Sequence, residues 1–210
     1  MSAHTLASET ASLPATSPSF SICVYCASRV GNQPEFAALA REVGTWIGVH
    51  GGQLVYGGGS NGLMGILADA TLAAGGRVIG VIPKALVEKE WAHTGCTELH
   101  VVETMHDRKR IMAERADAFL ALPGGIGTLE EFFEVWTWRQ LGYHSKPVGL
   151  LNTSGYYDSL LTFLNSSVKA GFMNDWLMEL IRTDTEAEPL LKALVQAAGM
   201  TPGATRLDQI

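Results

Sequence analysis

Cationic side chains are scarce: 15 Lys and Arg stand against 21 Asp and Glu, a formal net charge of −6 at pH 7. No Lys/Arg-rich block offsets this, so neither a nucleic-acid surface nor a nucleic-acid partner is expected. Long apolar runs are missing too. None approaches the roughly 20 residues of a membrane-spanning helix, so no membrane partner is expected. Only three cysteines occur. Cys96 is isolated, while Cys23 and Cys26 fall in an expected strand, where odd spacing sends them to opposite faces. A redox pair would be expected after a strand, at a helix start. No metal site is therefore read, and no cofactor is expected. The Gly-Lys-Ser/Thr ending of a P-loop is absent from both glycine-rich stretches. Residues 1–19 lack a basic start and a solid apolar segment. Rich in Ser, Thr, Ala and Pro, they read as a disordered tail and not a secretory signal, which makes the cytoplasm the expected compartment.

What the chain has in quantity is glycine, 23 of 210 residues, with 47% hydrophobic and 17% charged residues. That suits a single α/β domain over residues 20–200, followed by a C-terminal tail at 201–210. Apolar runs predict strands at 20–27, 53–56, 77–83, 99–103, 118–122 and 147–151. Helical patterns run from Pro34 to about 50, over 63–74 and 105–116, and from the 123–128 turn to about 141. Others follow at about 156–170, 174–181 and 186–198. Residues 84–97 read as a loop or short helix, and 181–183 admits a short seventh strand. Strands alternating with helices predict a doubly wound, Rossmann-like parallel sheet with helices on both faces. In such sheets ligands bind beyond the carboxyl ends of the strands, where the glycine-rich turns of this chain fall.

The densest of those turns is Pro123-Gly124-Gly125-Ile126-Gly127-Thr128-Leu129-Glu130-Glu131. Its glycines let a ligand approach the backbone, and the new helix offers free N–H groups and a positive dipole end, a natural seat for phosphate. Thr128-x-x-Glu131 also spells a capping box, which would satisfy the helix start internally. A cap needs none of the glycines. Gly57-x-Gly59-x-x-Gly62 formally matches the dinucleotide fingerprint, but the next strand ends in Pro83-Lys84 where that fingerprint needs an acid. It reads instead as a second glycine turn along the crevice, or as a helix start capped by Ser60 or Asn61.

In the helix from 105, Met105, Arg108, Met112 and Arg115 share one stripe, while Asp107, Arg110 and Glu114 share another. The second is a solvated ion-pair face. The first turns Arg108 toward the sheet, and a guanidinium does not desolvate without a partner. It either forms a structural pair with a buried carboxylate or aims at a ligand phosphate, a sugar or a catalytic Glu. His106 reads as a surface or capping residue. Glu90 and Trp91 would wall the crevice, and Trp136 and Trp138 read as core or dimer contacts.

Residues 123–131 match PGGxGTxxE in full. Together with Val24-Tyr25-Cys26-Ala27-Ser28, YGGGSNGLMG at 56–65, VIPKAL at 81–86, MHDRK at 105–109 and KPVGLL at 146–151, they make the chain resemble the Lonely Guy family from residue 20 to about 185. Its members are cytokinin-activating phosphoribohydrolases, often labelled possible lysine decarboxylases. The resemblance implies hydrolysis of an N6-modified adenosine 5′-monophosphate to free base and ribose 5-phosphate, by a homodimer or an assembly of dimers. Carried over residue by residue, it makes Arg108 and Glu131 the catalytic pair. Gly124, Gly125, Ile126, Gly127 and Thr128 would hold phosphate and ribose. Ser28, Gly58, Gly59, Glu90, Lys109, Glu130 and Thr137 would be further substrate contacts. Arg29 departs from the family pattern, which has a small polar residue after Ser28, and residues 87–92 depart in detail.

The residues agree with that chemistry, since glycosidic cleavage builds positive charge on the sugar and carboxylates stabilise it. Two alternatives stay open: the same reaction on ordinary purine or pyrimidine monophosphates, and a non-catalytic nucleotide or cofactor carrier. Decarboxylation normally needs a pyridoxal phosphate Schiff-base lysine. Lys84, Lys89, Lys109 and Lys146 stand in no recognisable setting for one.

Overall fold

A computed structural model describes residues 17–87 and 91–201. Seven strands form one sheet: β1 (Ser21–Tyr25), β2 (Gln53–Tyr56), β3 (Arg77–Pro83), β4 (Glu98–Val102), β5 (Ala118–Ala121), β6 (Val148–Leu151) and β7 (Ile181–Asp184). Their order is β4-β3-β2-β1-β5-β6-β7, and every neighbouring pair is parallel. Parallel neighbours need crossovers, and α-helices supply those other than β3–β4: α1 (Pro34–Val49), α2 (Gly62–Ala73), α3 (Met105–Glu114), α4 (Ile126–Gln140), α5 (Asp158–Lys169) and the short α6 (Trp176–Glu179), with α7 (Ala187–Ala197) following β7. The fold is the doubly wound α/β sheet that the alternation predicts. The seventh strand is real and reaches Asp184. Of the segment 84–97, Lys84–Leu86 form one 3₁₀ turn, and Ala92 makes an isolated antiparallel bridge to Gly59.

Burial on both faces explains why β1, β2, β3, β5 and β6 read as nearly unbroken apolar runs. In β1 the pleat sends Ile22 and Val24 into a core shared with α1, α2 and α7. Cys23 and Tyr25 enter the core beneath α3, α4, α5 and α6. Cys26 lies in the first core and Cys23 in the second, as their odd spacing requires, and both are free thiols. Just before β1, Ser19 is buried and its N–H donates to the Gly51 carbonyl at 2.9 Å.

The α1–α2 crossing rests on two small residues. A Cβ at Gly44 would strike the Leu67 carbonyl oxygen, and one at Gly48 would stand 2.7 Å from the Thr71 carbonyl oxygen. Glycine at these two positions lets the helix backbones approach, and α2, apolar almost all round, is buried as a result.

The chain builds outward from β1 to β4, then returns to lay β5 on the other side of β1. The loops after β1 and β5 therefore leave the sheet in opposite directions. Between them opens the crevice where such sheets take ligands.

Candidate active site

A cavity of about 540 Å³ occupies that crevice. The turn after β1, with Cys26, Ser28 and Arg29, forms one wall, and Pro123–Thr128 after β5 form another. Leu63 and Met64 of α2, Phe36 of α1, Tyr156, Arg108 and Glu131 complete the lining.

The turn after β5 is built for close approach. α4 starts at Ile126 with Gly125 as its N-cap residue, and no side chain caps it. This corrects the capping-box reading: Thr128 lies inside the first turn, buried, packed into the space that a side chain at Gly124 would need. The first-turn N–H groups have no carbonyl within the helix to accept from them, and they sit at its positive end beside the cavity. Gly125 and Gly127 differ from Gly124. Beyond the chain neighbours and the helix's own backbone, no atom of the described residues lies within 4 Å of where a Cβ at either would stand. Packing does not demand glycine there, whereas an approaching ligand would.

Two tyrosines hold this turn from α5's entry. The Tyr156 hydroxyl donates to the Gly124 carbonyl at 2.7 Å, and the buried Tyr157 hydroxyl donates to the Leu122 carbonyl at 2.6 Å. Tyr156 also meets Phe36 edge-on, with ring centroids 5.5 Å apart. Sequence reasoning passed over both tyrosines. Their one signal was position, just beyond the carboxyl end of β6.

Arg108 is fixed from three sides. Its Nε donates to the Val81 carbonyl and its Nη2 to the Gly57 carbonyl, each at 3.2 Å. Its Nη1 lies 3.8 Å from Glu131 Oε1, with only 7% and 12% of the two side chains exposed. A side chain at position 57 would collide with the guanidinium, which is why the 57–62 turn opens with glycine. The carbonyl partners and the carboxylate together answer how this guanidinium tolerates burial. The other α3 stripe is the solvated ion-pair face expected, with Arg110 3.0 Å from Glu114 and 3.6 Å from Asp107.

Several other residues expected to contact substrate lie off the cavity wall. Lys109 Nζ reaches Glu130 at 2.6 Å and Glu134 at 2.9 Å, bridging α3 to α4. Burial draws this amine's pKa down, but its hydrogen bonds to the two carboxylates outweigh that and leave it raised. Thr137 is exposed on α4. Gly58, with φ +78°, packs against Val81 and Ile82, and its carbonyl accepts from the His93 N–H at 2.9 Å. Gly59 pairs with Ala92. Glu90 falls outside the described residues. Ser28 does line the cavity, and Ile126 stands 89% exposed at its edge.

Burial pushes the Cys26 thiol at the cavity wall well above its ordinary pKa. Among the described residues, no three His, Cys, Asp or Glu side chains are grouped to hold a metal ion. No described helix is long and apolar enough to cross a membrane.

Residues 64–194 match the family described as possible lysine decarboxylase. The chain is 49% identical over 173 residues to cytokinin riboside 5′-monophosphate phosphoribohydrolase LOG1 of Arabidopsis thaliana, covering 82% of this chain and 81% of that protein. It is 44% identical over 195 residues to probable cytokinin riboside 5′-monophosphate phosphoribohydrolase LOG4 of Oryza sativa subsp. japonica, covering 93% and 85%. The chain belongs to the Lonely Guy family. Its fold is shared more widely than its sequence. The molybdenum cofactor carrier protein of Chlamydomonas reinhardtii superposes with a TM-score of 0.63 at 23% identity, over 85% of this Lonely Guy chain and 97% of the carrier. The molybdenum cofactor binding protein of Rippkaea orientalis gives 0.59 at 20%, over 84% and 94%.

Proposed function

We propose that the protein hydrolyses the N-glycosidic bond of an N6-modified adenosine 5′-monophosphate, releasing free cytokinin base and ribose 5-phosphate. The observation that carries this reading is Glu131, a carboxylate beside Arg108 in a cavity also lined by the uncapped, glycine-opened start of the same helix. A pure anion carrier gains nothing from a carboxylate in its pocket. A glycosidase needs one. The 5′-phosphate docks on the first turn of α4 and anchors the ribose. As the base departs, positive charge develops on the sugar, and Glu131 stabilises it and directs a water. Arg108, held by Gly57 and Val81, keeps that carboxylate at a fixed angle. Phe36, Leu63 and Met64 supply apolar wall for the remainder of the substrate. The relatives named as cytokinin riboside 5′-monophosphate phosphoribohydrolases support the substrate class. We further propose a dimer, favoured by exposed Ile126, Leu141 and Tyr143 on and just after α4.

The test is free-base release from isopentenyladenosine monophosphate, plain AMP and the unphosphorylated riboside. Release is expected from the first, and none from the riboside. Equal cleavage of plain AMP would widen the reading to general nucleoside monophosphates. Tight AMP binding without release from any of them would replace the enzyme with a carrier.

A further inference from the structure

The charges lining the cavity do not balance. Arg108 and Glu131 stand 3.8 Å apart and cancel. Arg29 is the remaining full charge among the residues that line it. The two arginines are used differently. Arg108 is buried and engaged by Val81, Gly57 and Glu131. Arg29 is exposed, and its side chain makes no hydrogen bond or ion pair among the described residues.

Its backbone is nevertheless held in place. Gly62, at φ +61°, lies so close that a Cβ there would strike the Arg29 nitrogen and the Ser28 carbonyl carbon. The Leu63 N–H donates to the Ala27 carbonyl at 3.0 Å, tying the start of α2 to the same turn. Two residues on, Gly31 at φ +78° is pressed against the Phe36 ring. Arg29 thus stands on a backbone held by its neighbours, with no side-chain partner among the described residues, in the lining of a cavity that otherwise carries no net charge.

We infer that Arg29 is the phosphate-binding cation of this site, closing on the 5′-phosphate that the first turn of α4 receives. The inference rests on the function proposed above. A phosphate monoester carries close to two negative charges at pH 7, and a helix start supplies only about half a positive charge. Arg29 makes up that deficit with a planar fork suited to phosphate oxygens. The phosphate is remote from the bond that breaks, and the first turn of α4 still anchors it when Arg29 is lost. Loss of Arg29 therefore moves KM far more than kcat. Arg29 also separates the monophosphate from the uncharged riboside.

The experiment compares wild type, Arg29→Ala and Arg29→Lys by calorimetric binding of ribose 5-phosphate and of ribose, and by kcat and KM for isopentenyladenosine monophosphate. Arg29→Ala is expected to weaken ribose 5-phosphate binding and raise KM by about five- to tenfold. Its kcat should stay within about twofold of wild type. Arg29→Lys should fall between, and ribose should bind all three alike. Unchanged ribose 5-phosphate affinity in Arg29→Ala overturns the inference, as does an equal loss for ribose. Should wild type bind ribose 5-phosphate through Arg29 yet hydrolyse nothing, the hydrolase reading fails while this one stands.

Discussion

At Gly125 and Gly127 the open space around the missing side chains is the strongest sign that the turn after β5 serves a ligand. The neighbouring Gly124 has an internal reason to be glycine, because Thr128 fills its space. The distinction yields opposite expectations for stability and binding. Gly127→Ala should leave the melting temperature unchanged or raise it slightly, since alanine in a helix is favoured over glycine by about 0.5–1 kcal/mol. It should nevertheless weaken ribose 5-phosphate binding, on the order of tenfold, because the methyl occupies the approach to the first-turn N–H groups. Thermal melts and calorimetry on one preparation check both. The sequence could not separate these glycines. Thr128 and Glu131 spell a cap at the right spacing, and only the packing of Thr128 against Gly124 shows that the helix has already begun at Ile126. Tyr156 and Tyr157 were illegible for a related reason: they act on carbonyls 32 and 35 residues away in the chain.

Between elements, two contacts set the geometry. The α1–α2 crossing has no room at Gly44, so Gly44→Ala should destabilise the protein by about 1–3 kcal/mol, read as a lower urea midpoint with an unchanged slope. The α3–α4 pairing has two adjacent rungs, Arg108 with Glu131 and Lys109 with Glu130 and Glu134. The resemblance assigned Lys109 and Glu130 to the substrate, and in this structure they engage one another. We expect Lys109 to act as a positioning residue that holds Glu131 in register with Arg108. Lys109→Met should then lower kcat by about tenfold with a much smaller change in KM, and Lys109→Arg should restore most of it. A change confined to KM would return Lys109 to direct substrate contact. The stripe pattern of α3 foretold that Arg108 turns inward. It could not foretell two backbone carbonyls as partners, since residue type does not reveal which strand ends a guanidinium will meet.

For the molecule as a whole, the alternation of apolar runs with helical patterns was enough to predict the sheet, because strands buried on both faces leave an unmistakable signature. The strand order places the site, and it follows from the return of β5 to the side of β1, which no local pattern records. At the other end of the sheet His144 ties α4 to β6. Its Nε2 lies 3.0 Å from the Val135 carbonyl, and its Nδ1 accepts from the Lys146 N–H at 3.2 Å, an arrangement that suits the neutral ring. Burial, assisted by nearby Lys146 and Arg139, lowers its pKa below the usual 6.5 despite the Val135 contact. The unfolded chain therefore takes up this proton at higher pH than the folded one, and stability falls as pH drops below about 6.5 toward the folded value. Denaturation midpoints between pH 7 and 5 should decline in wild type and decline less steeply in His144→Gln.

The central claim is that Glu131 performs the chemistry in a site whose phosphate grip is independent of it. The most direct measurement is single-turnover release of base from isopentenyladenosine monophosphate by wild type and Glu131→Gln, alongside calorimetric binding of ribose 5-phosphate to both. Glu131→Gln is expected to lose about three orders of magnitude or more in the rate of release, while its affinity for ribose 5-phosphate holds or improves. Release by Glu131→Gln at a rate close to wild type would contradict the claim.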